Sequence, residues 1–312
     1  MTTPIMQCLH PNSNHIYIKR DDLIPFSFGG NKVRIANEFF ADMKKKNCDC
    51  IIGYGNARSN LCRIIANMSK YYGIKCYIVS PLDDDGTRTE TANSLIVNAC
   101  DAETVLCKKE DVAQMLEHTM ELCKKNGYRP YYINGDSHGN GNEAVPVKAY
   151  AKAYQEIKDY ENKNNINFDY IFCALGTGMT YSGLLAGKTA VHDPVKIIGI
   201  SIAREAKKEK PIIEKYLNCY FSVSAHWDFE ITDKYLCGGY ARYNKDIMNT
   251  IKDMLLKEGV SLDPTYTGKA FWGMQQYLAE HSIKNKNILF LHTGSAPLFF
   301  DNIKKILGCD KV

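Results

Sequence analysis

Residues 19–34 read Lys-Arg-Asp-Asp-Leu-Ile-Pro-Phe-Ser-Phe-Gly-Gly-Asn-Lys-Val-Arg, and the reading of the whole chain turns on Lys32 within Gly29-Gly30-Asn31-Lys32. Two glycines let the backbone turn with positive φ, and asparagine tolerates similar geometry. The spacing of Val33, Ile35, Ala36, Phe39 and Phe40 predicts a helix opening at about Lys32. A lysine there sits at the positive end of the helix dipole, which lowers the cost of losing its proton. Partial burial acts in the same direction. A neutral amine on a rigid turn is what Schiff-base chemistry with an aldehyde cofactor requires. In isolation the same four residues also describe an ordinary loop with a solvated lysine, so the reading rests on three further segments.

Downstream, short β-type runs alternate with helical periodicity. Cys50-Ile51-Ile52 runs into Gly53 and a helix-like stretch over 60–72, followed by the β-type run 75–79 and a periodic stretch over 89–99. Thr104-Val105-Leu106 leads to a helix at about 111–126 and then to the run 130–133. A second series begins near Glu143 with a long helix to about Asn162, the strand 170–175, a helix after Thr180, the strand 196–202 and a final strand 287–292. Alternation of this kind implies parallel pairing through right-handed crossovers, hence an α/β fold. No linker separates the two series. Two lobes with a ligand cleft fit them best.

Leu175-Gly176-Thr177-Gly178-Met179-Thr180 joins an apolar strand to a helix containing Ser182, Gly183, Leu184 and Leu185. Strand, glycine loop and helix N-terminus make an anion-binding arrangement. The dinucleotide fingerprint wants glycine where Tyr181 stands, and the Gly-Lys-Ser/Thr of a P-loop is absent. A phosphorylated cofactor or substrate is the remaining reading, beside a tight turn that needs glycine for geometry alone. Gly53-Tyr54-Gly55-Asn56-Ala57-Arg58-Ser59-Asn60 also joins a strand to a helix. There Ser59 or Asn60 caps the helix, or the same amides and hydroxyl receive a substrate carboxylate. The fourth segment, Leu262-Asp263-Pro264-Thr265-Tyr266-Thr267-Gly268-Lys269-Ala270, is a loop with one central aromatic, and an isolated tyrosine is most often a packing residue.

Composition narrows the class. With 312 residues, 45% apolar and 24% charged, the chain can bury a substantial core. A net charge of +4 on 39 basic and 35 acidic groups points to neither nucleic acid nor anionic lipid. No apolar stretch approaches the ~20 residues of a membrane span, and residues 1–7 lack the pattern of a secretory leader. Twelve cysteines in a chain of this length read as reduced thiols in a cytosol. Cys76 and Cys173 lie in apolar runs, and Cys48-Asp49-Cys50 has the wrong spacing for a zinc pair. No metal is expected.

Taken together and in this order, the segments resemble those of pyridoxal-phosphate enzymes of the tryptophan-synthase-β type. The chain is most similar to the family of 1-aminocyclopropane-1-carboxylate deaminase and D-cysteine desulfhydrase. That family carries Lys-Arg-Asp-Asp and Gly-Gly-Asn-Lys, here residues 19–22 and 29–32, then Gln-Ser-Asn-His/Gln, a glycine-rich phosphate loop, Leu-Asp-Pro-x-Tyr-x-Gly-Lys-Ala and a late His-Thr-Gly, here His292-Thr293-Gly294. The resemblance spans residues 16–300. It implies fold type II, two three-layer α/β lobes with mainly parallel sheets. The large cofactor-binding domain would comprise 1–36 and 146–312, and the small substrate-side domain 37–145.

By the same resemblance, Lys32 carries the cofactor and Gly176, Thr177, Gly178, Met179 and Thr180 cradle its phosphate. Asn60 lies beside the cofactor's 3′-oxygen, and Ser59 with Asn60 receives the substrate carboxylate. Tyr266 flanks the ring, Thr293 stands near its nitrogen, and Tyr240 is a second active-site tyrosine. The partner is a small amino acid, and a cytoplasmic homodimer is implied.

Two positions depart from the family pattern. Arg58 replaces the glutamine and Leu61 the histidine or glutamine that flank the substrate element. Arg58 could clamp an extra acidic group, as in cysteate, or point to solvent. The deaminases place a glutamate directly after the loop tyrosine, where it keeps the ring nitrogen protonated; here that position is Thr267. A hydroxyl leaves a weaker electron sink, which disfavours ring opening of aminocyclopropane carboxylate. The expectation is α,β-elimination from a β-substituted, D-cysteine-like amino acid to pyruvate and ammonia, with Lys32 or a tyrosine removing the Cα proton. A deaminase, a β-replacement synthase, a cysteate-type sulfo-lyase and a non-enzymatic cofactor-binding regulator are the alternatives.

Overall fold

The computed structural model describes residues 1–10, 13–83 and 85–309. Its strands in chain order are β1 Ile5–Gln7, β2 His15–Arg20, β3 Cys50–Tyr54, β4 Lys75–Pro81, β5 Glu103–Cys107, β6 Pro130–Tyr132, β7 Tyr170–Leu175, β8 Lys196–Ser201, β9 Glu230–Thr232 and β10 Asn287–His292. The first helices are α1 Asn31–Lys45, α2 Asn60–Tyr72, α3 Ala92–Ala99, α4 Val112–Lys125, α5 Ala144–Asn164 and α6 Met179–Ala190. They are followed by α7 Ala206–Phe221, α8 Lys245–Asp253, α9 Thr267–Glu280, α10 Ala296–Phe300 and α11 Ile303–Leu307. The structure is mixed α/β with two mainly parallel sheets. Two compact units form, one from Met1–Asn31 with the chain from Val147 onward, the other from Lys32–Pro146.

In the first unit the sheet order is β1-β2-β10-β7-β8-β9, and only the β1–β2 pair is antiparallel. Its inner strands are continuous apolar runs, as parallel strands packed on both faces require. Ile171, Phe172, Leu289 and Phe290 are fully buried. Phe172, Ile198, Ile200 and Phe290 share one cluster with Ile247 and Ile251 of α8 and with Ala270, Phe271 and Met274 of α9. Each large side chain so buried contributes about 1.5–3 kcal/mol. Register places the chemistry: Arg20 pairs with His292, and Leu291 with Cys173. The segments after β2, β10 and β7 therefore leave the same end of the sheet, the carboxyl end at which open α/β sheets bind ligands.

The second unit has a wholly parallel sheet, β5-β4-β3-β6. Helix α2 packs on β3 and β4 with α3 against it, and α4 packs on β4, β5 and β6. Ser59 caps α2 by accepting from Cys62 N–H at 3.2 Å, and Gly73 ends it in the left-handed conformation. Thr91 and Ser94 close a capping box at the start of α3.

The alternating middle of the chain matches the periodicity closely, with β7, β10 and α2 at the expected residues. The helix expected after Thr180 begins at Met179, so Thr180 lies inside its first turn. Strand β2 escapes an apolar-alternation reading because it carries Lys19 and Arg20. Lys19 is nonetheless fully buried, its Nζ donating to Thr3 Oγ1 at 2.7 Å and Glu156 Oε2 at 2.5 Å. A buried ammonium is tolerable where such partners surround it.

Candidate active site

The turn that precedes Lys32 is built on Asp21. Its carboxylate is fully buried and accepts from Thr3 Oγ1 at 2.6 Å and from the Tyr150 hydroxyl. The Asp21 carbonyl receives the Gly30 N–H at 2.8 Å. Gly30 has φ +102, and a Cβ there would stand 2.8 Å from the Thr293 carbonyl oxygen. Across from it, a Cβ on Gly294 would stand 2.5 Å from Gly30 Cα. Backbone meets backbone at this point, which only glycine permits. The Lys-Arg-Asp-Asp, Gly-Gly-Asn-Lys and His-Thr-Gly segments are thus parts of one assembly.

Asn31 joins it to a fourth. Its N–H donates to the Thr293 carbonyl at 3.0 Å and its Nδ2 donates to Thr180 Oγ1 at 2.8 Å. The sequence reading treats Asn31 as a turn former only; its side chain ties the turn to the first turn of α6. There Gly178, at φ +83, occupies the N-cap and supplies no side-chain acceptor. The opening amides of α6 are left to an incoming anion. In the same turn Ser182 Oγ is buried with no hydrogen-bond partner. Arg204, which sequence analysis passed over, donates from Nη1 to the Gly176 carbonyl at 3.0 Å. The same Nη1 lies 3.6 Å from the buried Glu209 carboxylate, so it is the loop amides and the Ser182 hydroxyl that a phosphate fits.

Tyr240 and Tyr266 are brought together in the same unit. Their hydroxyl oxygens are 2.7 Å apart and their rings meet edge to face at 5.9 Å. Tyr266 Cε1 lies 3.9 Å from where a Cβ on Gly176 would stand. Asp263 positions Tyr266, accepting from the N–H groups of Thr265, Tyr266 and Thr267, each at 2.9 Å. Its carboxyl pKa is raised by burial, against which these hydrogen bonds act. An Asp-Pro step before a helix is a capping signal that could have identified it. The Thr267 hydroxyl donates to Asp263 Oδ1 at 2.8 Å and accepts from Asp263 N–H at 2.9 Å. Position 267 therefore serves the loop itself. His292 accepts the Gly294 N–H at Nδ1, 3.1 Å, which assigns the proton to Nε2, facing the Ser261 carbonyl at 2.8 Å. Burial lowers its pKa, so the ring is neutral.

In the other unit, the 57–60 segment is held by α3. Thr91 Oγ1 donates to the Ala57 carbonyl at 2.6 Å, and Asn93 Nδ2 to the Arg58 carbonyl at 3.0 Å and Asn60 Oδ1 at 3.1 Å. Asn93 was not legible as a site residue because its signal is only a helix start. Leu61 is buried in the core, at 6% exposure. Arg58, partly exposed, is engaged by neighbours of its own unit. Its guanidinium donates to Asp83 Oδ1 at 2.9 Å and Thr89 Oγ1 at 2.8 Å.

Lys32 follows Asn31 in the first turn of α1. Burial lowers its pKa from 10.5 to about 8. At pH 7 that raises the neutral fraction about 300-fold over an ordinary lysine. The turn clamped through Asn31 thus leads directly into an amine that is nucleophilic near neutrality. Among the described residues, no group of three or more His, Cys, Asp and Glu side chains could hold a metal ion, and no helix is long and apolar enough to cross a membrane.

A protein-family model described as "Pyridoxal-phosphate dependent enzyme" matches residues 2–294. A D-cysteine desulfhydrase of Serratia proteamaculans (strain 568) is 28% identical over 293 residues, covering 91% of this chain and 88% of that protein. One of Yersinia enterocolitica serotype O:8 / biotype 1B is 29% identical over 296 residues, with the same coverage. The crystal structure of an ACC deaminase homologue aligns with TM-score 0.83 at 28% identity, over 99% of this chain and 94% of that one. A hydrogen sulfide-producing enzyme from Fusobacterium nucleatum shares the fold, with TM-score 0.66 at 20% identity over 94% of each chain.

Proposed function

We propose that this chain, which belongs to the pyridoxal-phosphate-dependent enzymes, is a carbon–sulfur lyase that converts D-cysteine or a similar β-substituted amino acid to pyruvate, ammonia and the released β-substituent. The observation that carries this reading is the construction around Lys32, a half-buried lysine with a pKa of about 8 on a turn clamped through Asn31 to Thr293 and Thr180. When bound, pyridoxal phosphate supplies an aldehyde and a ring that accepts electron density from Cα. Gly176, Thr177, Gly178, Met179 and Thr180 would hold its phosphate, Tyr266 would flank the ring, Asn60 would donate to the 3′-oxygen, and Thr293 would stand near the ring nitrogen.

The neutral Lys32 Nζ accepts the Cα proton of the substrate, which its lowered pKa makes effective near neutrality. Ser59 and Asn60 orient the substrate carboxylate. The Tyr240–Tyr266 hydroxyl pair holds a proton for the departing sulfur. Two features favour elimination over ring opening of aminocyclopropane carboxylate. Position 267 supplies no carboxylate, and its hydroxyl is engaged by Asp263. The pairing of Arg58 with Asp83 favours a cysteine-like substrate over one with a second acidic group. Free thiols at the described cysteines suit a reducing cytosol, and the working form is a homodimer by likeness to the family.

Pyruvate release from D-cysteine and β-chloro-D-alanine tests the proposal, with aminocyclopropane carboxylate as the competitor. Elimination is expected to exceed ring opening at least about 10²-fold in kcat/KM. A preference for the cyclopropane substrate would overturn it. The lowered Lys32 pKa gives a second expectation. Cofactor-free protein should capture pyridoxal phosphate faster as pH rises, levelling off above about 8 as the amine becomes neutral. A capture rate still climbing steeply at pH 10 would return Lys32 to an ordinary lysine.

A further inference from the structure

Lys269 lies three residues beyond Tyr266, in the first turn of α9, and takes no direct part in the proposed chemistry. Its side chain is fully buried, and its Nζ donates to three backbone carbonyls: Ile202 at 3.2 Å, Leu236 at 2.8 Å and Gly239 at 2.7 Å. An ammonium has three N–H donors, and here three carbonyls take them. Burial lowers its pKa to about 8, while the Cys237 thiol and the Asp263 carboxylate act in the opposite direction. A buried charge of this kind persists only where its hydrogen bonds are complete.

The acceptors belong to two separate segments, the chain just beyond β8 and the 236–239 turn. That turn runs directly into Tyr240. Cys237, Gly238, Gly239 and Ala241 all have positive φ, so the backbone on either side of Tyr240 is in a costly conformation with no strand or helix ladder to hold it. Its own backbone contributes Gly239 N–H to the Leu236 carbonyl at 3.0 Å and Arg242 N–H to the Gly239 carbonyl at 3.2 Å. Lys269 adds a fastening from α9, the helix that begins immediately after Tyr266. We propose that Lys269 is a positioning residue, whose ammonium clamps the 236–239 turn to α9 and so fixes the Tyr240 hydroxyl at hydrogen-bond distance from that of Tyr266. The proposal rests on the reading in which this pair serves the reaction.

The test uses full-length protein carrying 3-fluorotyrosine, with the Tyr240 and Tyr266 signals assigned by single Tyr→Phe variants. In Lys269→Met, the ¹⁹F signals of Tyr240 and Tyr266 should shift or broaden, with and without cofactor, while those of Tyr17 and Tyr131 stay in place. In loaded enzyme kcat should fall ten- to a hundredfold, as expected for a displaced reacting group, with KM and cofactor affinity within about twofold. Tyr240→Phe should then cost little more in the Lys269→Met background, because the two changes remove one function. Lys269→Gln, which retains two N–H donors, is read in the same way where the methionine variant fails to fold. Unmoved tyrosine signals, or a Tyr240→Phe effect undiminished by Lys269→Met, would overturn the proposal. If Tyr240→Phe alone leaves turnover intact, the catalytic reading of the pair fails, and the ¹⁹F signals still decide whether Lys269 positions it.

Discussion

Lys32→Ala is expected to lower kcat/KM for a β-substituted amino acid at least about 10³-fold and to abolish reductive fixation of the cofactor by borohydride. Among the described residues no other offers the same combination, an amine with a pKa of about 8 that follows Asn31 on a turn sutured to the Thr293 carbonyl. Lys269 has a comparable pKa, but its nitrogen is spent on three carbonyls. Stability of cofactor-free protein should register the same substitution. The folded-state pKa of Lys32 lies near 8, below its ordinary 10.5, so between these values the unfolded chain holds more protons and stability rises with pH. The variant should lose the Lys32 share of that slope and keep the share due to Lys269. Activity within tenfold of wild type, or borohydride labelling elsewhere, would remove Lys32 from the reaction.

Asp263→Ala should destabilise the protein by about 3–5 kcal/mol, the range for removing one partner from a buried charged network. Three backbone N–H groups and the Thr267 hydroxyl lose their acceptor at once, at a position 1% exposed. For a chain of this size the melting temperature should drop on the order of 10 °C. Asp263→Asn keeps the volume and one oxygen but turns an NH₂ towards N–H donors, so an intermediate loss is expected. Turnover should fall in both variants because Tyr266 hangs on this carboxylate. A change in stability below about 1 kcal/mol in Asp263→Ala would show that the loop is held by something else.

The parts that sequence reveals well are those whose physics is local. The left-handed freedom of Gly29 and Gly30, the helix that starts beside Lys32, the glycine loop ending β7 and the cap at Ser59 each depend on residues within a few positions of one another. So do the parallel strands β7 and β10, whose apolar runs announce burial on both faces. The last third of the chain was less legible. Strand β9 is short and only partly buried, and the 236–241 turn takes its shape from Lys269 rather than from any periodicity.

What the sequence by itself determined is therefore the α/β alternation, the order of the motifs and the place of Lys32 just after a glycine turn at the start of a helix. Tertiary structure alone decided how those motifs serve one another. Asn31 reaches Thr180 across 149 residues, and Gly30 packs on Gly294 because β2 and β10 pair in parallel with Arg20 opposite His292. It likewise committed Arg58 to Asp83 and the Thr267 hydroxyl to Asp263, pairings that sequence spacing does not announce. The reason is physical. A hydrogen-bonding side chain takes the best partner that the folded backbone brings within about 3 Å, and sequence spacing carries no record of which partner that will be once it lies more than a helical turn away.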